Sequence, residues 1–388
     1  MALEHAMNFK LKFYLALFFV AGISTTYTGC GQAGGYAISG ITNTYNFVYF
    51  GNAGSSTINS YYVKPDGTTT LVANTISTGA GTSSVNDLAA SPNGKFLYAS
   101  NKSTNNVSWY SVDPLTLPTE GALTFTSSVP ALGNGTSALK VHPNGTLCYI
   151  ANSTSVSNNI GVCTIDAVGV MTVRNDLFFT ARTNPTNLVF SPNGQFLFVV
   201  NRGTADVSTF SVNSATGTLT TINLSTPTGS NPEDLVVHPI QRYLYTLSTG
   251  SNSIYMHSVS TGGTLTALAT PTIATGVNPK KIVISPNGKY VFVTNNGDNS
   301  ISAYSVNSTT GILTAVIGSP FAGPTGAGVY AAAVLTDNKY LIVTGDSNAK
   351  GYVYSINDAT GAVSLIGADF DLGANPRAVV VLPLSVTE

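Results

Sequence analysis

Two adjacent charged pairs carry most of the chemistry this sequence could perform. Glu233 stands beside Asp234, and Lys280 and Lys281 fill the corresponding place one repeat later. A carboxylate can take a proton from water, and a nearby ammonium or guanidinium can polarise a carbonyl. Glu233, Asp234, Lys280 and Arg377 would therefore form a hydrolase set if the fold brings them together. Asp87, Asn187, Lys281 and Tyr330 fall at equivalent places in the repeats and are candidate ligand contacts. Opposite charges at a solvent-filled opening also pair with no functional reason, so that reading stands beside the catalytic one. Metal chemistry has little support, because His142, His238 and His257 lie in positions that should not converge. There is no Gly-x-Ser-x-Gly elbow, and Asp298 lacks the surrounding carboxylates of a calcium loop. No metal or cofactor is expected.

The elements that must position these residues come from an internal repeat. Ser91-Pro92-Asn93-Gly94 recurs as Ser191-Pro192-Asn193-Gly194 and Ser285-Pro286-Asn287-Gly288, with weaker copies from His142, His238 and Thr336. The second residues of these copies, at 92, 143, 192, 239, 286 and 337, keep the period of a four-stranded propeller blade. Each unit reads as an apolar first strand, a Pro-Asn-Gly turn, a second strand ending at an Asn, an alternating third strand, and a Gly-containing turn into a fourth. The glycines of that last turn, Gly67, Gly121, Gly169, Gly217, Gly263, Gly311 and Gly361, give seven units. The first unit has no first strand of its own and the C-terminus carries a spare one from Asn375 to Val381. The fold class is therefore all-β, a seven-bladed propeller over residues 43–388 whose C-terminal strand closes the ring and removes two open sheet edges. In this register the residues at the start of each first strand ring one mouth of the central channel. Cys148 and Cys163 fall opposite each other on consecutive strands, as a cross-strand disulfide or as two buried thiols.

Lys10 and Lys12 precede an apolar run from Phe13 to Ile23, which has the length of a signal-peptide core and is too short to span a bilayer. Tyr27-Thr28-Gly29-Cys30-Gly31 follows and resembles the bacterial lipobox, with Tyr27 in place of the usual Leu. The expected organisation is a signal peptide over residues 1–29, a lipidated Cys30 opening a flexible linker over 30–42, and the propeller beyond. This implies export, membrane attachment through lipid in the periplasm or at the cell surface, and a monomer. With 16 basic and 17 acidic side chains and no basic cluster, nucleic acid is not an expected partner.

The Pro-Asn-Gly turns, the Tyr-Val-x-x-Asn-like second strands and the period resemble the YVTN-repeat and lactonase-type, 6-phosphogluconolactonase-like propellers. The resemblance implies an Arg, His and Glu constellation at the channel mouth, carried by Pro-Arg-His and Asn-Glu frames. Here Pro376-Arg377-Ala378 keeps the Arg and loses the His, Pro232-Glu233-Asp234 replaces both, and the Asn-Glu frame reads Asn101-Lys102, Asn152-Ser153, Asn201-Arg202 and Asn295-Asn296. On that departure, the expected function is binding of a small molecule, glycan or protein at the mouth without catalysis. The alternative is a lactonase-type hydrolase opening a sugar lactone.

Overall fold

Each apolar run expected to be an innermost strand is one. The computed structural model describes residues 42–78, 85–113, 121–131, 133–154, 158–240 and 242–387; the expected signal peptide and Cys30 lie outside them. Residues Thr44–Ser385 form one body of seven antiparallel sheets in a ring. Blades 2 to 7 begin at the inner strands Val85–Ala90, Thr136–Val141, Pro185–Phe190, Pro232–Val237, Pro279–Ile284 and Val329–Val334. Blade 6 departs from the pattern, its outer strand being split into Leu313–Ala315 and Phe321–Ala322.

Ring closure follows the strand count. The C-terminal strand Pro376–Thr387 is hydrogen-bonded to Thr42–Asn52 and becomes the inner strand of blade 1. Its side chains alternate between two interblade cores. Ala378, Val380, Leu382 and Leu384 pack with Leu88 and Leu97 of blade 2, while Val379 and Val381 pack with Leu335 and Ile342 of blade 7.

The repeated turns have a common local cause. In blade 2, Phe96 N–H donates to Ser91 Oγ at 2.9 Å, Ser91 Oγ donates to Asn93 Oδ1 at 2.7 Å, and Gly94 takes φ 72°, which a glycine accepts without steric cost. The same bonds recur at Ser191 and Ser285. Where His replaces that Ser, the ring becomes a strut between blades. Asn144 N–H donates to His142 Nδ1 at 3.1 Å, which leaves the proton on Nε2 to be donated to Gly194 O of the next blade at 3.0 Å. His238 repeats the arrangement with Ile240 N–H and Gly288 O. Among the described residues no three His, Cys, Asp or Glu side chains converge as metal ligands.

A second set of struts uses the glycines that gave the blade count. Tyr49, Tyr149 and Tyr245 donate through their hydroxyls to Gly121, Gly217 and Gly311 of the following blades at 2.8–2.9 Å. Tyr354, on the third strand of blade 7, is also buried, but its hydroxyl has no partner among the described residues. Tyr149→Phe should therefore lower unfolding free energy by about 1–3 kcal/mol, because it strands a buried carbonyl. Tyr354→Phe should cost nothing or stabilise slightly. Urea midpoints check both; equal losses would contradict the assignment of these bonds.

Cys148 and Cys163 are direct partners across the second and third strands of blade 3, as the register predicts, and both are buried free thiols. Ile165 N–H bonds to Thr146 O at 2.7 Å. Hydrogen-bonded and open pairs alternate along an antiparallel ladder, so Cys163 and Cys148, two steps on, form a hydrogen-bonded pair. Side chains at such a pair stand farther apart than the roughly 3.8 Å between Cβ atoms that a disulfide prefers. Burial pushes the Cys163 thiol up to about 12 and holds the Cys148 thiol well above its ordinary value, so neither is a ready thiolate.

Candidate functional site

One end of the channel opens into a polar cavity of about 430 Å³. A β-bulge sets which residues reach it. In blades 2 to 6 the pairing of inner and second strands shifts by one residue, at Val85/Asp87, Thr136/Ala138, Pro185/Asn187, Pro232/Asp234 and Pro279/Lys281. The skipped residue has no ladder partner and can turn its side chain into the opening. Those residues, Asn86, Ser137, Thr186, Glu233 and Lys280, line the cavity, joined by Tyr330 and Arg377 from blades 7 and 1. Neutral amides and hydroxyls occupy blades 2 to 4, while Glu233, Lys280, Tyr330 and Arg377 occupy the other side.

A rim completes the site. Lys102, Ser153, Arg202, Asn296 and Asp346, each next to the residue that ends its blade's second strand, also line the cavity. Lys102, Ser153, Arg202 and Asn296 are the second residues of the Asn-x frames, which the residue types alone do not assign to the site. Four cations, Lys102, Arg202, Lys280 and Arg377, thus share the mouth with two carboxylates, Glu233 and Asp346. In a chain whose net charge is -1, that local excess favours anionic groups.

The pairing inside the mouth is incomplete. Arg202 Nη1 lies 3.3 Å from Glu233 Oε2, yet that oxygen is buried and accepts no hydrogen bond, so the contact is an ion pair without hydrogen-bond alignment. Arg377 Nε sits 3.4 Å from Asp346 Oδ1, and its guanidinium lies 5.2 Å from the centre of the Tyr330 ring. Lys280 has neither an ion pair nor a hydrogen bond among the described residues. Burial pushes its ammonium down, with Arg202 and Arg377 acting the same way against the opposing pull of Glu233. Burial pushes the Tyr330 hydroxyl up.

The second member of each pair lies beneath the mouth and is already engaged. Asp234 Oδ2 accepts from Ile282 N–H at 3.0 Å and faces Lys281 Nζ at 3.1 Å, while its Oδ1 accepts from Asn187 Nδ2 at 2.5 Å. Asp87 Oδ2 likewise accepts from Leu139 N–H at 3.2 Å and pairs with Lys140 Nζ at 2.5 Å. Each carboxylate caps a backbone N–H on the inner strand of another blade. Burial works against the charge of Lys281, but Asp234 and Asp87 outweigh it and hold the ammonium above its ordinary value. The structure thus brings Glu233, Lys280, Tyr330 and Arg377 together at the mouth, and places Asp87, Asn187, Asp234 and Lys281 in a layer below them. Ala378, where the related frame carries His, is buried between blades 1 and 2.

Comparison with known proteins agrees with this fold. The profile of a family described as lactonase, 7-bladed beta-propeller matches residues 21–136, 116–233 and 225–330, together more than half of the chain. No curated protein matches significantly. A Bacteroides fragilis protein assigned as a 6-phosphogluconolactonase is similar in structure, with a TM-score of 0.74 at 19% identity over 87% of this chain and 98% of the other. A Bacteroides uniformis protein with the same assignment gives 0.74 at 20% identity over 87% and 99%. The periplasmic gluconolactonase of Pseudomonas aeruginosa gives 0.72 at 19% identity over 88% and 100%. At such identities the likeness shows the fold.

Proposed function

Since the chain belongs to the lactonase family of seven-bladed β-propellers, we propose that its channel mouth binds a polyhydroxylated lactone and hydrolyses it. The observation that carries this reading is the meeting of the Glu233 carboxylate and the unpaired Lys280 ammonium in one cavity, from adjacent inner strands. Glu233 takes a proton from a water molecule, whose oxygen attacks the lactone carbonyl carbon. Lys280 and Arg202 stabilise the negative charge that develops on the carbonyl oxygen. The ring C–O bond then breaks, and the departing alkoxide recovers the proton from Glu233. On the neutral side Asn86 Oδ1 and Thr186 Oγ1 can accept hydrogen bonds from ring hydroxyls, while Ser137 Oγ is already bonded to Ala151 O and Pro185 O. The names of the similar solved structures favour this reading over binding alone.

Binding without turnover is the second reading. It draws on one observation: no His is among the residues that line the mouth, and the related frame's His position is the buried Ala378. Export and anchoring through Cys30 form part of the proposal and rest on the sequence. The test is hydrolysis of plain and phosphorylated gluconolactone by the chain from residue 31 onward, followed by proton release. Turnover well above the spontaneous rate, reduced at least about 100-fold by Glu233→Gln, supports hydrolysis. Saturable binding of the lactone or its open acid with no excess proton release would leave the binding reading.

A further inference from the structure

We propose that Lys280 is a nucleophilic amine that condenses with small anionic aldehydes, which makes the mouth a covalent carbonyl-capture site as well. The argument rests on how the mouth distributes its charges. Glu233 is engaged by Arg202 at 3.3 Å and Asp346 by Arg377 at 3.4 Å, so both carboxylates of the cavity already have a guanidinium. Lys280 is left half-buried with no carboxylate in direct contact among the described residues, while Lys102 is exposed at the rim. A lysine desolvated beside other cations loses its proton more easily, so a fraction of Lys280 presents a free lone pair while the protonated remainder is the form that the lactone reading uses. The surrounding guanidinium groups favour an incoming anion, and the cavity of about 430 Å³ gives a small molecule room. Lys281 is the built-in contrast, because the next residue in the same strand is tied to Asp234 at 3.1 Å and keeps its proton.

In the reaction the Lys280 nitrogen adds to the aldehyde carbon. The carbonyl oxygen leaves as water and a C=N bond remains; cyanoborohydride then delivers hydride to that carbon and fixes the adduct as a secondary amine. This inference depends on the geometry of the mouth and not on lactone turnover, so either can fail alone.

The probe is glyoxylate with cyanoborohydride on the folded chain, with each lysine followed by peptide mass spectrometry. Lys280 should be carboxymethylated at least about tenfold faster than Lys281 and the exposed Lys64, Lys95 and Lys339. Acetaldehyde, which lacks the charge, should show a smaller preference for the same residue. Glu233→Gln, which removes the carboxylate that favours the protonated amine, should raise the Lys280 rate further. Labelling of Lys280 no faster than the exposed lysines in protein with an unchanged melting curve would overturn the proposal, as would a preference that Glu233→Gln lowers.

Discussion

A chain ending at Asn375 is expected to lose the whole propeller and not merely one strand. The removed segment supplies the inner strand of blade 1, and its side chains are shared by two interblade cores. Ala378 and Leu382 are only 4% exposed, and Val379, Val380, Val381 and Leu384 are partly buried. At about 1.5–3 kcal/mol for each large apolar side chain fully buried, the transfer loss approaches 10 kcal/mol, comparable to the total stability of a domain. The truncation also bares the ladder of Thr42–Asn52, an edge that invites association. Loss of cooperative thermal unfolding, or a melting point lower by well over about 10 °C, is the expected result. A truncated chain that melts as the full one does would exclude the closure described above.

Removing the Asp234 carboxylate is expected to have the next largest effect on stability. Asp234 is 3% exposed and serves three partners at once: the Asn187 amide, the Ile282 N–H and the Lys281 ammonium. Asp234→Ala leaves a partly buried cation, the Asn187 amide and a backbone donor without their acceptor, a loss of about 3 kcal/mol. The double substitution Asp234→Ala/Lys281→Met removes the stranded charge and should recover part of that loss. The pH dependence has a definite sign. The folded-state pKa of Lys281 is raised above 10.5, so its stabilisation is complete below that value and fades only as the pH climbs through the raised one. Urea midpoints should show the pair's contribution unchanged between about pH 6 and 9. A double variant no more stable than Asp234→Ala, or a contribution that vanishes near neutrality, would show that the pair is not the support its bonds indicate.

The fold was legible because the repeat writes the same turn many times. Ser-Pro-Asn-Gly needs a hydroxyl, a fixed φ and a positive φ in that order, and the turn glycines at 67, 121, 169, 217, 263, 311 and 361 mark one blade each. The spare strand after Asn375 and the missing one before Phe47 pointed to the closure that the sheets show. The mouth was legible to within one residue. Glu233-Asp234 and Lys280-Lys281 mark the right place on the inner strands, but a bulge decides which member turns into the channel. A bulge is a property of two paired strands and leaves no mark in either alone. Lys102, Arg202 and Asp346 escaped assignment for a different reason: the frame that holds them reads as the loss of a Glu, while the fold makes it a rim. The cysteine register was readable from hairpin arithmetic, whereas the alternation that separates hydrogen-bonded from open pairs depends on where the ladder starts.

The most direct test of a reactive mouth above a structural layer compares turnover per folded molecule in Glu233→Gln and Asp234→Asn, with the best lactone of the panel. Glu233 lines the cavity and Asp234 lies beneath it, so the account predicts at least about a 100-fold loss of turnover with an unchanged melting curve for the first. For the second it predicts lowered stability with turnover per folded molecule retained within a few fold. Full activity in Glu233→Gln, or abolished activity in well-folded Asp234→Asn, would contradict it.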